Sequence, residues 1–199
     1  EMNIVNSVLI GNSQEAFELI KNHQLQFPNR RLDEFDLAKI ELNLISGDFN
    51  EANYKEPLYK KLAIVYNCLL FSKIEDAVEN YRWFLNNEWK SYKGWRFIEY
   101  LPLHLKLSMG KIEMARQLLI EKNKKGRSHY LDDFFYLRIY LQEKNNEKAQ
   151  ESFNQLIGNI NHFGALNRLA FEIQFAKEIK LDDFLLLSQN VKKQNQWNN

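Results

Sequence analysis

The stretch ISGDFNEA at residues 45–52 decides the fold, because four related stretches occur elsewhere in the chain. These are IGNSQEA at 10–16, FSKIEDA at 71–77, MGKIEMA at 109–115 and EKNNEKA at 143–149. Each copy ends in an alanine that follows a glutamate by one or two residues. Five residues before the alanines stand Gly11, Gly47, Ser72, Gly110 and Lys144. We interpret the stretch as a turn between two helices.

Each part of the stretch has a physical role in such a turn. The first helix ends at a residue that enters the left-handed αL conformation, for which glycine is favoured. A short polar link, such as Asn12 or Asp48, then caps the next helix. The glutamate in the first turn of that helix offsets the positive end of the helix dipole. The alanine faces the preceding helix, where a larger side chain would push the two helices apart.

Apolar residues recur at helical spacing throughout the chain. In the segment 33–46, Phe35, Ala38, Leu42 and Ile45 form one apolar stripe. Only three prolines and seven glycines interrupt the 199 residues, which suits long regular elements. We predict an all-α fold of about eleven helices, at 2–9, 13–24, 33–46, 55–71, 74–87, 91–109, 111–123, 128–144, 146–158, 163–179 and 182–193.

The spacing of the five alanines points to a repeat. Successive alanines are 36, 25, 38 and 34 residues apart, and three of these steps lie near the ~34-residue period of tetratricopeptide repeats. The sequence at 47–52 resembles the turn and second-helix start of that family. Pro28 matches its closing proline, and Tyr81 and Phe153 match its aromatic position. The resemblance covers most of 10–158 and implies a TPR-like α-solenoid, a right-handed stack of antiparallel helical hairpins. We expect one such domain over 1–199, cut from a longer protein.

Composition limits the classes of partner and compartment. The 27 basic and 26 acidic residues give a net charge of +1, so the chain has no overall positive potential that would favour binding to nucleic acid. The single cysteine, Cys68, lies in an apolar run and is predicted to be a small buried hydrophobic residue. The N-terminus resembles no signal peptide, and no run approaches the ~20 apolar residues of a membrane span. We expect a cytoplasmic protein that does not enter membranes.

Motifs that would carry chemistry are missing from the sequence. None of the four histidines has a His, Cys or acidic partner in a zinc-like arrangement, so we expect no metal site. Asp132 and Asp133 read as the solvated start of a helix that Ser128 caps. No glycine-rich phosphate loop or nucleophile motif is present. We therefore predict a chain that is not an enzyme and carries no cofactor.

The segment 81–105 is the most aromatic part of the chain. Four of its aromatic side chains are predicted to fill the core between helices: Tyr81, Phe84, Phe97 and Tyr100. The others occupy a polar stretch beside cations, as aromatics do at peptide-binding surfaces. This set of predicted partner contacts is Trp89, Tyr92, Trp95 and Arg96.

Two further sets of residues are candidates for binding. The resemblance implies a concave surface lined by the first helix of each hairpin, and polar positions on those helices are Asn43, Asn67, Arg96 and Arg138. A basic loop, formed by Lys122, Lys124, Lys125 and Arg127, could meet phosphate or an acidic partner. The same loop also fits a solvated turn, where cations suit the C-terminus of a helix.

The resemblance implies a non-catalytic scaffold that binds a protein or peptide on its concave face. One alternative is a ligand- or peptide-sensing regulatory domain of a bacterial transcription regulator or signalling protein, since peptide-pheromone receptors carry similar arrays. A second alternative, an enzyme on a helical scaffold, requires His129, Asp132, Asp133 and Asp182 to cluster. The last predicted helix, 182–193, either caps the stack or pairs with a second copy to form a homodimer.

Overall fold

The computed structural model describes residues 13–26, 57–86, 95–124, 129–160, 169 and 172–179, and every structural statement below concerns these residues. They form helices and turns, with no strand in the described ranges. The helices are α1 (Ser13–Gln26), α2 (Pro57–Leu70), α3 (Ile74–Leu85), α4 (Trp95–Ser108), α5 (Ile112–Lys124), α6 (Tyr130–Gln142) and α7 (Asn146–Asn159). The all-α prediction is confirmed for this part of the chain.

The described helices are fewer than the eleven predicted for the whole chain. The predicted helices at 2–9, 33–46 and 182–193 lie outside the described residues. The predicted helix at 163–179 is too long, because helical backbone at 172–173 gives way to turns from 174 onward. In these turns the N–H groups of Phe175, Ala176 and Ile179 bond to carbonyls three residues earlier, at 2.9–3.2 Å. Such short-range bonds do not continue an α-helix.

The predicted turn recurs with one geometry in the three described copies. Ser72, Gly110 and Lys144 adopt φ angles of 61°, 67° and 59°, all in the αL region. At each turn two N–H groups close a Schellman motif onto the end of the preceding helix. At the first turn, for example, Ser72 donates to the Leu69 carbonyl at 3.1 Å and Lys73 donates to the Cys68 carbonyl at 2.8 Å. The αL prediction is confirmed at all three, including the two positions that are not glycine.

The next helix begins two residues after each αL position, at Ile74, Ile112 and Asn146. The alanine N–H groups close the first helical turn at 3.0–3.1 Å, onto the carbonyls of Lys73, Lys111 and Asn145. Asn145 adds a side-chain cap, since its Oδ1 accepts from the Lys148 N–H at 3.2 Å. The alanines themselves are buried: Ala77, Ala115 and Ala149. Each alanine therefore contributes to the core at the start of its helix.

The chain divides into two compact units, Glu1–Leu101 and Pro102–Asn199, with the boundary inside α4. In the first unit α2 packs against α3, and Lys61 Nζ donates to Asn80 Oδ1 between them at 3.0 Å. Cys68 is buried on α2, as predicted. Phe84 on α3 also lies in the core, while Tyr81 is only half-buried. Whether 1–199 acts as one domain stays a prediction.

In the second unit α6 packs against both α5 and α7. Most of the length of α6 is buried, including charged positions that an outer helix would expose to water. The apolar side chains that α6 places in the core are Leu131, Phe134, Phe135, Leu137 and Ile139. Because a helix covered on several sides must satisfy its polar side chains internally, α6 is where the polar contacts of this unit concentrate.

Candidate functional site

Three buried polar residues from three different segments meet in the second unit. His104 lies on α4, Arg138 on α6 and Glu172 in the short helical stretch that precedes the turns at 174–179. Their exposed fractions are 0%, 1% and 0%. Arg138 is 34 residues from His104, and Glu172 is 68 residues from His104. The three residues are therefore evenly spaced along the sequence, with 34 residues from each to the next.

The hydrogen bonds show which nitrogen of the His104 ring carries the proton. Arg138 Nη1 lies 2.9 Å from His104 Nδ1. A guanidinium can only donate, so Nδ1 must accept and carries no proton. His104 Nε2 therefore holds the ring proton and donates it to Glu172 Oε2. The imidazole is a neutral bridge between a cation and an anion.

Arg138 also binds the irregular segment that follows Glu172. Its Nη2 donates to the Phe175 carbonyl at 2.9 Å, and its Nε donates to Glu178 Oε1 at 2.6 Å. Gln142, one turn further along α6, donates to the same carboxylate oxygen at 3.3 Å. We call residues 174–179 the clasp segment. One guanidinium thus holds His104, a backbone carbonyl and a carboxylate at the same time.

Aromatic rings enclose this polar cluster. The rings of Phe135 and Phe175 meet the His104 ring edge-on, with centroids 4.8 Å and 5.3 Å away. The Arg138 guanidinium carbon lies 5.9 Å and 5.7 Å from the ring centroids of Phe134 and Phe135. Rings at these positions keep water from the charges and attract the cation through their faces. Electrostatic contacts inside the cluster are consequently little screened.

A second polar cluster forms at the start of α6. His129 is the N-cap: its Nδ1 accepts from the Leu131 N–H at 3.3 Å, while Asp132 accepts from the His129 N–H at 3.0 Å. Asp132 also pairs with Lys122 of α5 at 2.8 Å. The prediction of Ser128 as the cap is wrong, because the His129 side chain makes the capping bond.

The two aspartates of α6 are buried, so the prediction of a solvated helix start is also wrong. Asp132 is 1% exposed and Asp133 is 9% exposed. Lys122 from α5 covers the first, and Asn159 from α7 donates to the second at 2.7 Å. Burial raises the pKa of Asp133 above its ordinary value. The Asn159 hydrogen bond opposes that rise, and the Asp132 charge adds to it.

A shallow apolar depression of about 240 Å³ lies on the outer side of α4 and α5. Met114 is its most accessible apolar residue, with 50% of its surface exposed. The other lining residues are Lys106, Glu113, Gln117, Leu118 and Glu121. The volume is below the ~300–1,000 Å³ of pockets that enclose a small molecule. It is large enough for one or two side chains.

The described residues contain only part of the predicted binding sets. Trp95 and Arg96 begin α4, but their side chains fall outside the described part of the chain. Asn67 is half-buried on α2, and Arg138 is the buried centre of the cluster above. Of the basic loop, Lys122 pairs with Asp132 and Lys124 is exposed. The remaining candidates lie outside the described residues: Trp89, Tyr92, Asn43, Lys125, Arg127 and Asp182.

The sequence reasoning missed His104, Glu172 and Glu178. The partners of His104 are 34 and 68 residues away, far beyond the spacing of three or four residues that marks a metal-binding motif. The signal that would have found them is the step between Ala115 and Ala149, which is also 34 residues. Polar residues repeated at the period of a helical array occupy equivalent positions and can bond to one another.

Comparisons of the chain with protein-family models, with curated proteins and with solved structures give no match. Among the described residues, no three His, Cys, Asp or Glu side chains converge as a metal site would require. In the same ranges, no helix has both the length and the apolar character needed to cross a membrane.

Proposed function

We propose that the chain is a TPR-like stack of helical hairpins that binds a protein or peptide segment and catalyses no reaction. The observation that carries the proposal is the repeated turn. Ser72, Gly110 and Lys144 share one αL geometry, and each is followed directly by a helix that begins with the same backbone bond. Successive helical hairpins, each with the same turn between its two helices, are the building units of arrays that offer extended binding surfaces.

The chemistry of the buried cluster supports binding over catalysis. An acid–base role for His104 needs one ring nitrogen that faces a substrate. Its Nδ1 lone pair is taken by Arg138, and its Nε2 proton is held by Glu172. At the other histidine–carboxylate contact, the His129 Nδ1 lone pair caps α6. Both arrangements use the imidazole for structure.

The depression on α4 and α5 supports a macromolecular partner. Its volume of about 240 Å³ suits single side chains rather than a whole small ligand. Apolar contact at Met114 beside the carboxylates of Glu113 and Glu121 is the mixture found at protein interfaces. The proposed contact set therefore adds Met114 to Trp89, Tyr92, Trp95, Arg96, Asn43 and Asn67.

The test is partner capture by the full chain. Extract from a bacterial host is passed over the unchanged chain, a Met114→Glu variant, and a Trp89→Ala/Trp95→Ala/Arg96→Ala variant. The matched control is Leu85→Glu, because Leu85 is another apolar side chain exposed on a helix. Circular dichroism must show equal helicity for all four proteins.

We expect the unchanged chain and the Leu85→Glu variant to retain the same partner protein. At least one of the other two variants should retain at least tenfold less of that partner. A partner retained equally by all four would place the binding surface elsewhere on the chain. Failure of the unchanged chain to retain any protein, together with capture of a small molecule detected by mass spectrometry, would replace the scaffold with the sensing domain.

A further inference from the structure

The clasp segment lies on α6 in the manner of a bound peptide. Its backbone is a series of turns rather than a helix, and α6 holds it through two side chains. Arg138 contacts one backbone carbonyl, that of Phe175, and one carboxylate, that of Glu178. Gln142 supports the carboxylate. Carbonyl and carboxylate contacts from a helix surface to an irregular segment are the means by which proteins recognise peptides.

The recognising side chain is held ready by a different set of contacts. Arg138 Nη1 bonds to His104, and the guanidinium carbon lies 5.9 Å and 5.7 Å from the ring centroids of Phe134 and Phe135. The bonds to the clasp segment use only Nε and Nη2. Removal of the clasp segment would therefore leave the arginine positioned, with two donors directed at the vacated surface. Pre-organisation of this kind reduces the entropy lost on binding.

The helical stretch before the clasp segment has its own anchor. Glu172 bonds to His104, and Leu169, Glu172 and Ile173 are buried. In the clasp segment Phe175 and Ala176 are buried, Gln174, Glu178 and Ile179 are half-buried, and Lys177 is exposed. The polar contacts of the two parts are separate, because Glu172 bonds to His104 while the clasp segment bonds to Arg138 and Gln142, so release of the clasp segment need not break the bond between His104 and Glu172.

We propose that the clasp segment covers a peptide-binding surface in cis, and that the partner displaces it. The surface consists of Arg138, Gln142, Phe135 and the edge of His104. The partner is a peptide segment with an aromatic side chain three residues before a carboxylate, the arrangement of Phe175 and Glu178. This inference rests on the proposed binding function and adds to it the chemistry of the partner and a means of autoinhibition.

Covering in cis predicts a specific affinity pattern. A tethered segment competes at an effective concentration on the order of millimolar, and a site that is open only part of the time binds with correspondingly reduced affinity. The probe is a labelled peptide of sequence QFAKEI, a copy of residues 174–179. The proteins are the unchanged full chain and a Phe175→Ala/Glu178→Lys variant, in which the new lysine faces Arg138 and expels the segment.

We expect the variant to bind the peptide at least tenfold more tightly than the unchanged chain, by fluorescence anisotropy. Adding Gln142→Ala to the variant should weaken binding several-fold, whereas the matched change Gln150→Ala on the exposed face of α7 should not. A peptide of sequence QAAKQI should not bind. A folded variant that ignores QFAKEI, or that binds both peptides equally, would overturn the proposal.

Hydrogen exchange on the unchanged chain gives an independent test if the variant does not fold. The amides of 175–179 should exchange through a local opening while those of α6 and α7 remain protected. Exchange of the clasp segment only together with α6 would show that it never detaches, and would reject the covering role. Such a result would leave the scaffold proposal intact, because that proposal fails only when the chain captures no protein.

Discussion

Replacement of Arg138 by methionine is the most direct test of the buried cluster. The change keeps an unbranched side chain of similar length but removes every donor. Three contacts disappear: the bonds to His104 Nδ1, to the Phe175 carbonyl and to the Glu178 carboxylate. The two neutral acceptors then lack this donor, and the Glu178 carboxylate, whose side chain is only 13% exposed, keeps the Gln142 donor but loses its charged partner.

The expected cost follows from what is left behind. Removing one partner of a buried ion pair costs about 3–5 kcal/mol, because the remaining charge is desolvated without compensation. The total stability of a domain is about 5–15 kcal/mol, so the loss is a large share of it. At a urea dependence of about 2 kcal/mol per molar, the unfolding midpoint should fall by about 1.5–2.5 M.

Arg116→Met is the matched control. Arg116 also pairs with a glutamate across helices, Glu143, and also lies over an aromatic ring, that of Tyr140 at 5.4 Å. Its side chain is 20% exposed, so water screens the pair and we expect a loss of less than about 1 kcal/mol. Urea unfolding followed by circular dichroism measures both. Equal losses for the two variants would refute the conclusion that Arg138 is the buried centre of this unit.

Further predictions concern the αL turns, the buried Asp133 and the Cys68 thiol. Gly110→Ala should lower the free energy of unfolding by about 1 kcal/mol through the αL backbone alone, since no atom lies within 4 Å of the added methyl group. Lys144→Gly should raise the free energy of unfolding by about 0.5 kcal/mol. The midpoint of urea unfolding measures both changes. The pKa of Asp133 is raised in the folded state, so folding takes up protons just above the ordinary value of 3.8, and stability falls as pH rises through that range. Asp133→Asn keeps an acceptor for Asn159 and should remove this part of the pH dependence; an unchanged pH profile would contradict the assignment. Burial raises the pKa of the Cys68 thiol, so iodoacetamide should modify it at least tenfold more slowly in the folded chain than in urea, as mass spectrometry would show.

The sequence was informative where structure depends on neighbours along the chain. The αL turns at 72, 110 and 144 follow from a local pattern of a chain-reversing residue, a polar link and a small residue. Lys144 shows that the pattern as a whole outweighs the preference of one residue, since a lysine accepts the conformation that glycine favours. The helices on either side were predicted for the same reason.

The site depended on neighbours in space, which no local pattern encodes. Asp132 and Asp133 have the sequence context of an exposed helix start, yet α5 and α7 cover them with Lys122 and Asn159. The helix predicted to reach 179 ends near 173, and Arg138 binds the Phe175 carbonyl just beyond that end. Both departures are produced by side chains more than nine residues away in the sequence.

The bond between His104 and Glu172 has a consequence for how the second unit folds. In a simple helical array each repeat touches only the next, so folding can begin anywhere and spread by short-range contacts. Here a buried contact joins two residues of the second unit that are 68 positions apart in the sequence. Closing so long a loop costs chain entropy before the contact forms, which slows folding and makes it more all-or-none. Loss or insertion of one hairpin between residues 104 and 172 would separate the members of the cluster, so we expect the length of this part of the chain to be fixed.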